Sequence, residues 1–220
     1  MQTTDVRANN LEPIERGNRL RQEGKLEEAI ASFHQAISSN IKTDEAYHFL
    51  GETLAQQNKL DEAAQAYTQA IKINSNYFWS YHCLGQVLCW QGKLEEAVAA
   101  SRKAIGLEDN QAPFYVQLGL ALDRQEKIDE AINCYRQAIA LDPNSWSAYH
   151  YFAEALSKQE SVSEAIDNYL QAIKLNPSHS WSYQGLGNLY SKQRKWSEAA
   201  ETYLQAIKFN PDFSWSYVYL

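Results

Sequence analysis

Residues 44–77 read DEAYHFLGETLAQQNKLDEAAQAYTQAIKINSNY, and residues 78–111 read FWSYHCLGQVLCWQGKLEEAVAASRKAIGLEDNQ. Laid over one another they align Tyr47 with Tyr81, Gly51 with Gly85, Ala63 with Ala97 and Ala70 with Ala104. The same 34-residue step runs outward in both directions, placing alanine at Ala29, Ala131, Ala165 and Ala199. A fixed period of this length marks stacked supersecondary units that bury apolar surface against their neighbours. It predicts an open array of helical hairpins with no single enclosed core.

Each unit carries two apolar stretches of helical period. Tyr47, Leu50, Gly51 and Leu54 step by three and four along one helix, and Leu60, Ala63, Ala64, Tyr67, Ala70 and Ile71 along its partner. Small residues at Gly51 and Ala63 let the two helices approach closely, and the aromatics fill the space beside them. The linking turns hold Gly or Asn (Glu-Gly-Lys at 23–25, Gln-Asn-Lys at 57–59, Gln-Gly-Lys at 91–93), residues that tolerate the left-handed backbone that ends a helix. The second helix opens on acid, with Glu27, Glu28, Asp61, Glu62, Glu95, Glu96, Asp129, Glu130, Glu164 and Glu198. Carboxylates there oppose the positive end of the helix dipole, about 0.3–1 kcal/mol each.

Further columns keep the register. Small residues stand at Gly17, Gly51, Gly85, Gly119, Ala153 and Gly187, tyrosines at Tyr47, Tyr81, Tyr115, Tyr149, Tyr183 and Tyr217, and prolines close units at Pro143, Pro177 and Pro211. Tyr, Leu-Gly, Ala, aromatic, Ala and Pro on this period resemble the tetratricopeptide repeat (TPR) family across residues 10–220. The resemblance implies an all-α, right-handed superhelical solenoid of antiparallel helix hairpins. The organisation expected is a tail over 1–9, repeats over 10–43, 44–77, 78–111, 112–145, 146–179 and 180–213, and the start of a seventh over 214–220.

Composition narrows the function. A net charge of −7 lacks the basic excess that phosphate neutralisation needs, so nucleic acid is not an expected partner. No run of about 18 apolar residues would span a membrane. The N-terminus MQTTDVRANNLEP has no basic-then-apolar export pattern. Three cysteines without paired spacing suit reduced thiols, and a cytoplasmic setting is expected.

The resemblance implies that the first helix of each hairpin lines a concave groove. Between its packing columns lie the candidate groove residues His48, Phe49, Trp79, His82, Trp90, Gln117, His150, Tyr151 and Trp181. Acids there (Glu15, Glu45, Glu52, Asp123, Glu154) nearly balance bases (Arg21, Arg124, Lys158, Lys192), so the groove reads as neutral and aromatic, the composition of a protein-binding hot spot. Trp79, Trp146, Trp181 and Trp215 stand near the start of their units and serve equally as seams between repeats. Trp90, at the end of its helix, is expected to face the groove. His48, His82 and His150 are expected to hydrogen-bond a peptide backbone.

Two binding modes of the family are disfavoured. The carboxylate clamp of Lys/Asn/Asn/Lys/Arg meets Ile14, Asn18, Phe49, Trp79 and Cys83, of which only Asn18 fits. The asparagine ladder of arrays fused to sugar transferases meets Glu15, Phe49, Cys83, Gln117, Tyr151 and Gly185. No metal or other cofactor is expected: His48 and His82 stand one repeat apart, roughly 10 Å in backbone terms, without a third ligand in evidence. Cys83, next to His82 on one helix, diverges from it by about 100°. Nor is catalysis expected within residues 1–220. Gly24-Lys25 and Gly92-Lys93 lack the rest of a phosphate loop, and no Gly-x-Ser-x-Gly elbow exists.

The chain stops at Phe213-Ser-Trp-Ser-Tyr-Val-Tyr-Leu220, half a unit without a polar cap. That ending predicts a fragment of a longer protein, with self-association through Trp215, Tyr217, Tyr219 and Leu220. The expected function is a protein-protein interaction scaffold that binds an extended peptide or partner protein. The alternative is the substrate-selecting or oligomerising arm of a glycosyl-, sulfo- or methyltransferase.

Overall fold

The computed structural model describes residues 3–211, with side chains from residue 13 onward. The self-association candidates Trp215, Tyr217, Tyr219 and Leu220 lie outside the described residues. Twelve α-helices and no strand are present among the described residues. They form two units, one up to Asp109 and one from Asn110.

The first unit holds three hairpins: α1 (Thr3–Gln22) with α2 (Leu26–Ser38), α3 (Thr43–Gln56) with α4 (Leu60–Ile73), and α5 (Phe78–Trp90) with α6 (Leu94–Leu107). The second repeats the plan with α7 (Ala112–Arg124) and α8 (Ile128–Leu141), α9 (Trp146–Lys158) and α10 (Val162–Leu175), and α11 (Ser180–Lys192) and α12 (Trp196–Phe209). Helical backbone begins at Thr3, inside the stretch read as a tail.

The repeat columns are the packing plan. Ala29, Ala63, Ala97, Ala131 and Ala165 are sealed from solvent, as are Ala36, Ala70, Ala104, Ala138, Ala172 and Ala206. Phe33, Tyr67, Tyr135 and Tyr203 are buried and lie flat on the small-residue column. A Cβ added at Gly17, Gly51, Gly119 or Gly187 would stand 2.5–2.8 Å from the facing ring, inside any real contact distance. Within each unit the odd-numbered helices pack on one another, whereas the even-numbered ones are held mainly by their own hairpin and the next. The closer-spaced odd helices therefore form the inner face of each unit.

The acidic column has a second role beyond the helix dipole. Glu27 accepts a 3.0 Å bond from Gln57 Nε2, and Asp61 a 2.8 Å bond from Gln91 Nε2. Asp129 accepts from Gln159 in the same way. Each turn glutamine thus ties its hairpin to the second helix of the repeat before it.

The turns differ between the units. Gly24 (φ +76°), Asn58 (φ +59°) and Gly92 (φ +75°) close the first three hairpins, as the sequence led us to expect. Glu126 (φ +63°), Glu160 (φ +61°) and Arg194 (φ +60°) take the same left-handed conformation with full side chains. The backbone geometry is imposed there by the packed helices on either side, against a local cost of about 1–2 kcal/mol.

Candidate interaction face

On the inner face of the first unit, His48 lies buried on α3, with Nδ1 3.0 Å from Ser80 Oγ on α5 and Nε2 3.7 Å from Glu52 Oε1 one turn along its own helix. Arg21 on α1 donates to the other oxygen of that carboxylate, Glu52 Oε2. The ring packs against Phe49, Tyr67 and Tyr77.

Three repeats later the second unit builds the same thing. His150 on α9 places Nδ1 3.0 Å from Ser182 Oγ on α11 and Nε2 3.6 Å from Glu154 Oε1. Tyr151, Tyr169 and His179 surround it. His179 Nδ1 adds a 2.8 Å contact to the Ser182 hydroxyl, a position that Tyr77 fills in the first unit.

Burial holds these imidazoles neutral. It pushes His48 down to about 4, helped by the positive charge of Arg21, and His82 to about 4. His150 falls to about 3, mainly by burial and secondarily through His179. Desolvation raises the Glu154 carboxyl; Lys158 opposes the rise and Asp123 adds to it. Hydroxyl, imidazole and carboxylate stand in a row at both places, but Ser80 and Ser182 are fully buried in helix first turns where no substrate could reach them. The rows are interhelical fasteners.

This places the sequence-derived candidates. His48, His150 and Gln117 are buried, and the first two already spend Nδ1 on serine, so they floor the inner face and do not project from it. Phe49, Tyr151 and His82 are half-buried. Trp79, Trp90 and Trp181 are the accessible members, at 37, 50 and 56 % exposure. The tryptophans near unit starts therefore split: Trp146 packs at a tilt against His179, with ring centres 4.4 Å apart, while Trp79 and Trp181 present much of their surface to solvent. The charges expected in the groove largely pair, Arg21 with Glu52, Lys42 with Glu45 at 3.0 Å, and Lys158 with Asp123 at 2.5 Å.

On α11 the exposed Trp181 heads a stripe that continues through Gln184, Asn188 and Lys192 at helical spacing. Those three polar residues line a cleft of about 430 Å³ with Ser157, Tyr169 and Gly185. Asn188 Oδ1 accepts from Tyr203 at 2.8 Å, which fixes its orientation.

Sequence reasoning missed three features. Trp196, the first residue of α12, is 64 % exposed. A larger outer cleft of about 930 Å³ opens in the first unit over Ile30, His34, Tyr47, Leu84 and Leu88. The serine partners of the histidines also went unseen, although the His–Ser spacing of 32 residues, present twice, was a readable signal.

Ligand atoms of His48, Glu52 and Cys83, residues that the sequence did not bring together, all lie within 4.8 Å of one another.

Hairpins repeating at one period, with an inner and an outer face in each unit, define an all-α repeat solenoid, the fold of a protein-interaction scaffold. Signatures described as "TPR repeat" match residues 17–58, 51–89 and 153–194, and others described as "Tetratricopeptide repeat" match 79–107, 112–145, 134–167 and 180–213. The chain belongs to the tetratricopeptide repeat family.

No curated protein matches it by sequence. Among solved structures, the APC/C hetero-tetramer Cut9–Hcn1 aligns with a TM-score of 0.86 at 17 % identity, over 96 % of this chain and 42 % of that one. PilF of Pseudomonas aeruginosa aligns at 0.83 and 20 % identity over 97 % of both chains. YrrB, described as a TPR protein with an unusual peptide-binding site, aligns at 0.62 and 22 % identity over 84 % of this chain and 96 % of its own. At these identities the likeness is one of fold. No described helix is long and apolar enough to cross a membrane.

Proposed function

We propose that this chain holds an extended peptide segment of a partner protein along the inner face of the odd-numbered helices of its second unit, and does no chemistry of its own. The observation that carries this reading is the α11 stripe: an exposed indole at Trp181 followed by Gln184, Asn188 and Lys192 along a cleft of about 430 Å³. An aromatic anchor beside polar groups supplies apolar contact and backbone hydrogen bonds together, the division of labour typical of binding hot spots. Trp79 on α5 repeats the anchor three repeats earlier. Cys83, Cys89 and Cys134 form no disulfide among the described residues, which suits a reducing compartment, and we place the protein in the cytoplasm.

Selection of a displayed random-peptide library on the purified chain tests the proposal, with binding then measured by fluorescence anisotropy. Selected peptides should lose at least tenfold in affinity against Trp181→Ala/Asn188→Ala, and should bind Trp196→Ala as they bind wild type. Peptides that bind the double variant undiminished would sink the proposal.

A further inference from the structure

The inner-face networks of the two units share His, Ser, Glu and Tyr in register, but the first unit alone adds a thiol. Cys83 stands where the second unit has Gly185. We propose that His48, Glu52 and Cys83 form a binding site for a thiophilic divalent cation of the zinc class, on the inner face of the first unit.

The donor set is right for such an ion. Imidazole nitrogen, thiolate sulfur and carboxylate oxygen are the three ligand types zinc takes, and three protein ligands with an open fourth position are a recognised arrangement. Ligand atoms around a tetrahedral zinc stand about 3.3–3.8 Å apart, from bonds of about 2.0–2.3 Å. His48 Nε2 and Glu52 Oε1 are already 3.7 Å apart, and all three donors fall within 4.8 Å, so closure asks for side-chain adjustment and no backbone movement.

Each ligand is also held from behind. Ser80 Oγ sits 3.0 Å from His48 Nδ1, so Nδ1–H can donate to it and leave the Nε2 lone pair facing Glu52. Arg21 occupies Glu52 Oε2 and leaves Oε1 facing the imidazole. The Tyr67 hydroxyl lies near the Cys83 sulfur and opposes the rise of its thiol. Supports of this kind orient metal ligands and are worth about 10–100-fold in affinity.

Burial has already removed the proton that would compete at the imidazole. The thiol keeps its proton, pushed up to about 12 by burial and by the Glu52 charge. Metal entry therefore forms the metal–sulfur bond, breaks the S–H bond and releases that proton to solvent. Thiolate and carboxylate together balance a divalent ion, and the Arg21 guanidinium on Glu52 adds a positive charge whose side chain is 19 % exposed. Glu52, its side chain 29 % exposed, provides the entry side.

Titration of the purified, reduced chain with Co²⁺, read by absorption, tests the site, followed by displacement with Zn²⁺. The expected result is a single equivalent bound with a thiolate-to-cobalt charge-transfer band. Cys83→Ser should abolish the band, Glu52→Gln should weaken binding at least tenfold, and Cys134→Ser and Glu154→Gln should leave it unchanged. Circular dichroism checks folding, and Glu52→Gln carries the test if Cys83→Ser unfolds. Absence of a saturable band in the folded wild type, a band surviving in folded Cys83→Ser, or equal loss in Glu154→Gln would overturn the proposal.

Discussion

The His48 and His150 networks occupy the same place in their units, share the serine, the glutamate and the tyrosine, and have been filled in differently around that frame. In the first unit Gly51 receives the flat of the Tyr67 ring, and the hydroxyl end meets Cys83. In the second the small-residue column holds Ala153, and the Tyr169 ring reaches α11, where only a glycine, Gly185, leaves room for it. A methyl group at one position and its absence at another are thus two halves of one adjustment. Charge has moved as well: Arg21 holds Glu52, whereas the position of Arg21 belongs to Asp123 in the second unit, and Lys158 pairs with that aspartate. The Glu154 carboxyl, without an arginine on it, is raised by its burial. One packing solution tolerates two sets of polar neighbours, provided the imidazole keeps its serine.

Acid should produce the largest effect, and should produce it at both networks. The folded pKa values of His48, His82 and His150 lie below the ordinary value of 6.5, so the folded state binds fewer protons than the unfolded chain. Their contribution is full above pH 6.5 and is lost as pH falls from 6.5 toward 3–4, about 3 kcal/mol apiece once both states are compared in acid. Thermal melts between pH 7 and pH 4 should show the loss, with His48→Gln and His150→Gln each removing a similar share of it. A melting temperature flat over that range would contradict the burial assigned to these rings.

Next in size is the exchange of the small residues. Gly51→Ala places a methyl group 2.8 Å from the Tyr67 ring and should cost about 1–3 kcal/mol by overpacking. Adding Cys83→Gly should return part of that loss, because it recreates the space that Gly185 provides in the second unit. A double-mutant cycle in urea measures the coupling. Purely additive losses would show that Ala153 and Gly185 are unconnected.

The smallest effect lies in the turns. Glu126→Gly, Glu160→Gly and Arg194→Gly should each stabilise by up to about 1 kcal/mol, since relief of left-handed strain exceeds the entropic cost of glycine. Gly24→Ala and Gly92→Ala should destabilise by a similar amount. Chemical denaturation of the five variants settles whether the two units differ in turn strain as their sequences do.

The sequence by itself determined the period, the helix pairs and the buried columns, because a repeat that buries its face only against copies of itself must write the same packing residues at the same interval. Ala63, Gly51 and Tyr67 are legible from that constraint alone. It also marked Trp181 and Trp79 as candidate anchors without distinguishing them from Trp146, since all three stand near helix starts and the apolar pattern is the same. Only the tertiary structure separated them, by setting the His179 ring against Trp146 and leaving 37 % of Trp79 and 56 % of Trp181 exposed. The histidines show the same limit. Their spacing pointed inward, but whether an imidazole meets solvent or a serine on the next hairpin depends on how adjacent first helices are offset, a distance that no periodicity encodes. The nearness of Cys83 to His48 and Glu52 is decided there too, because those residues belong to different hairpins and meet only once the hairpins stack.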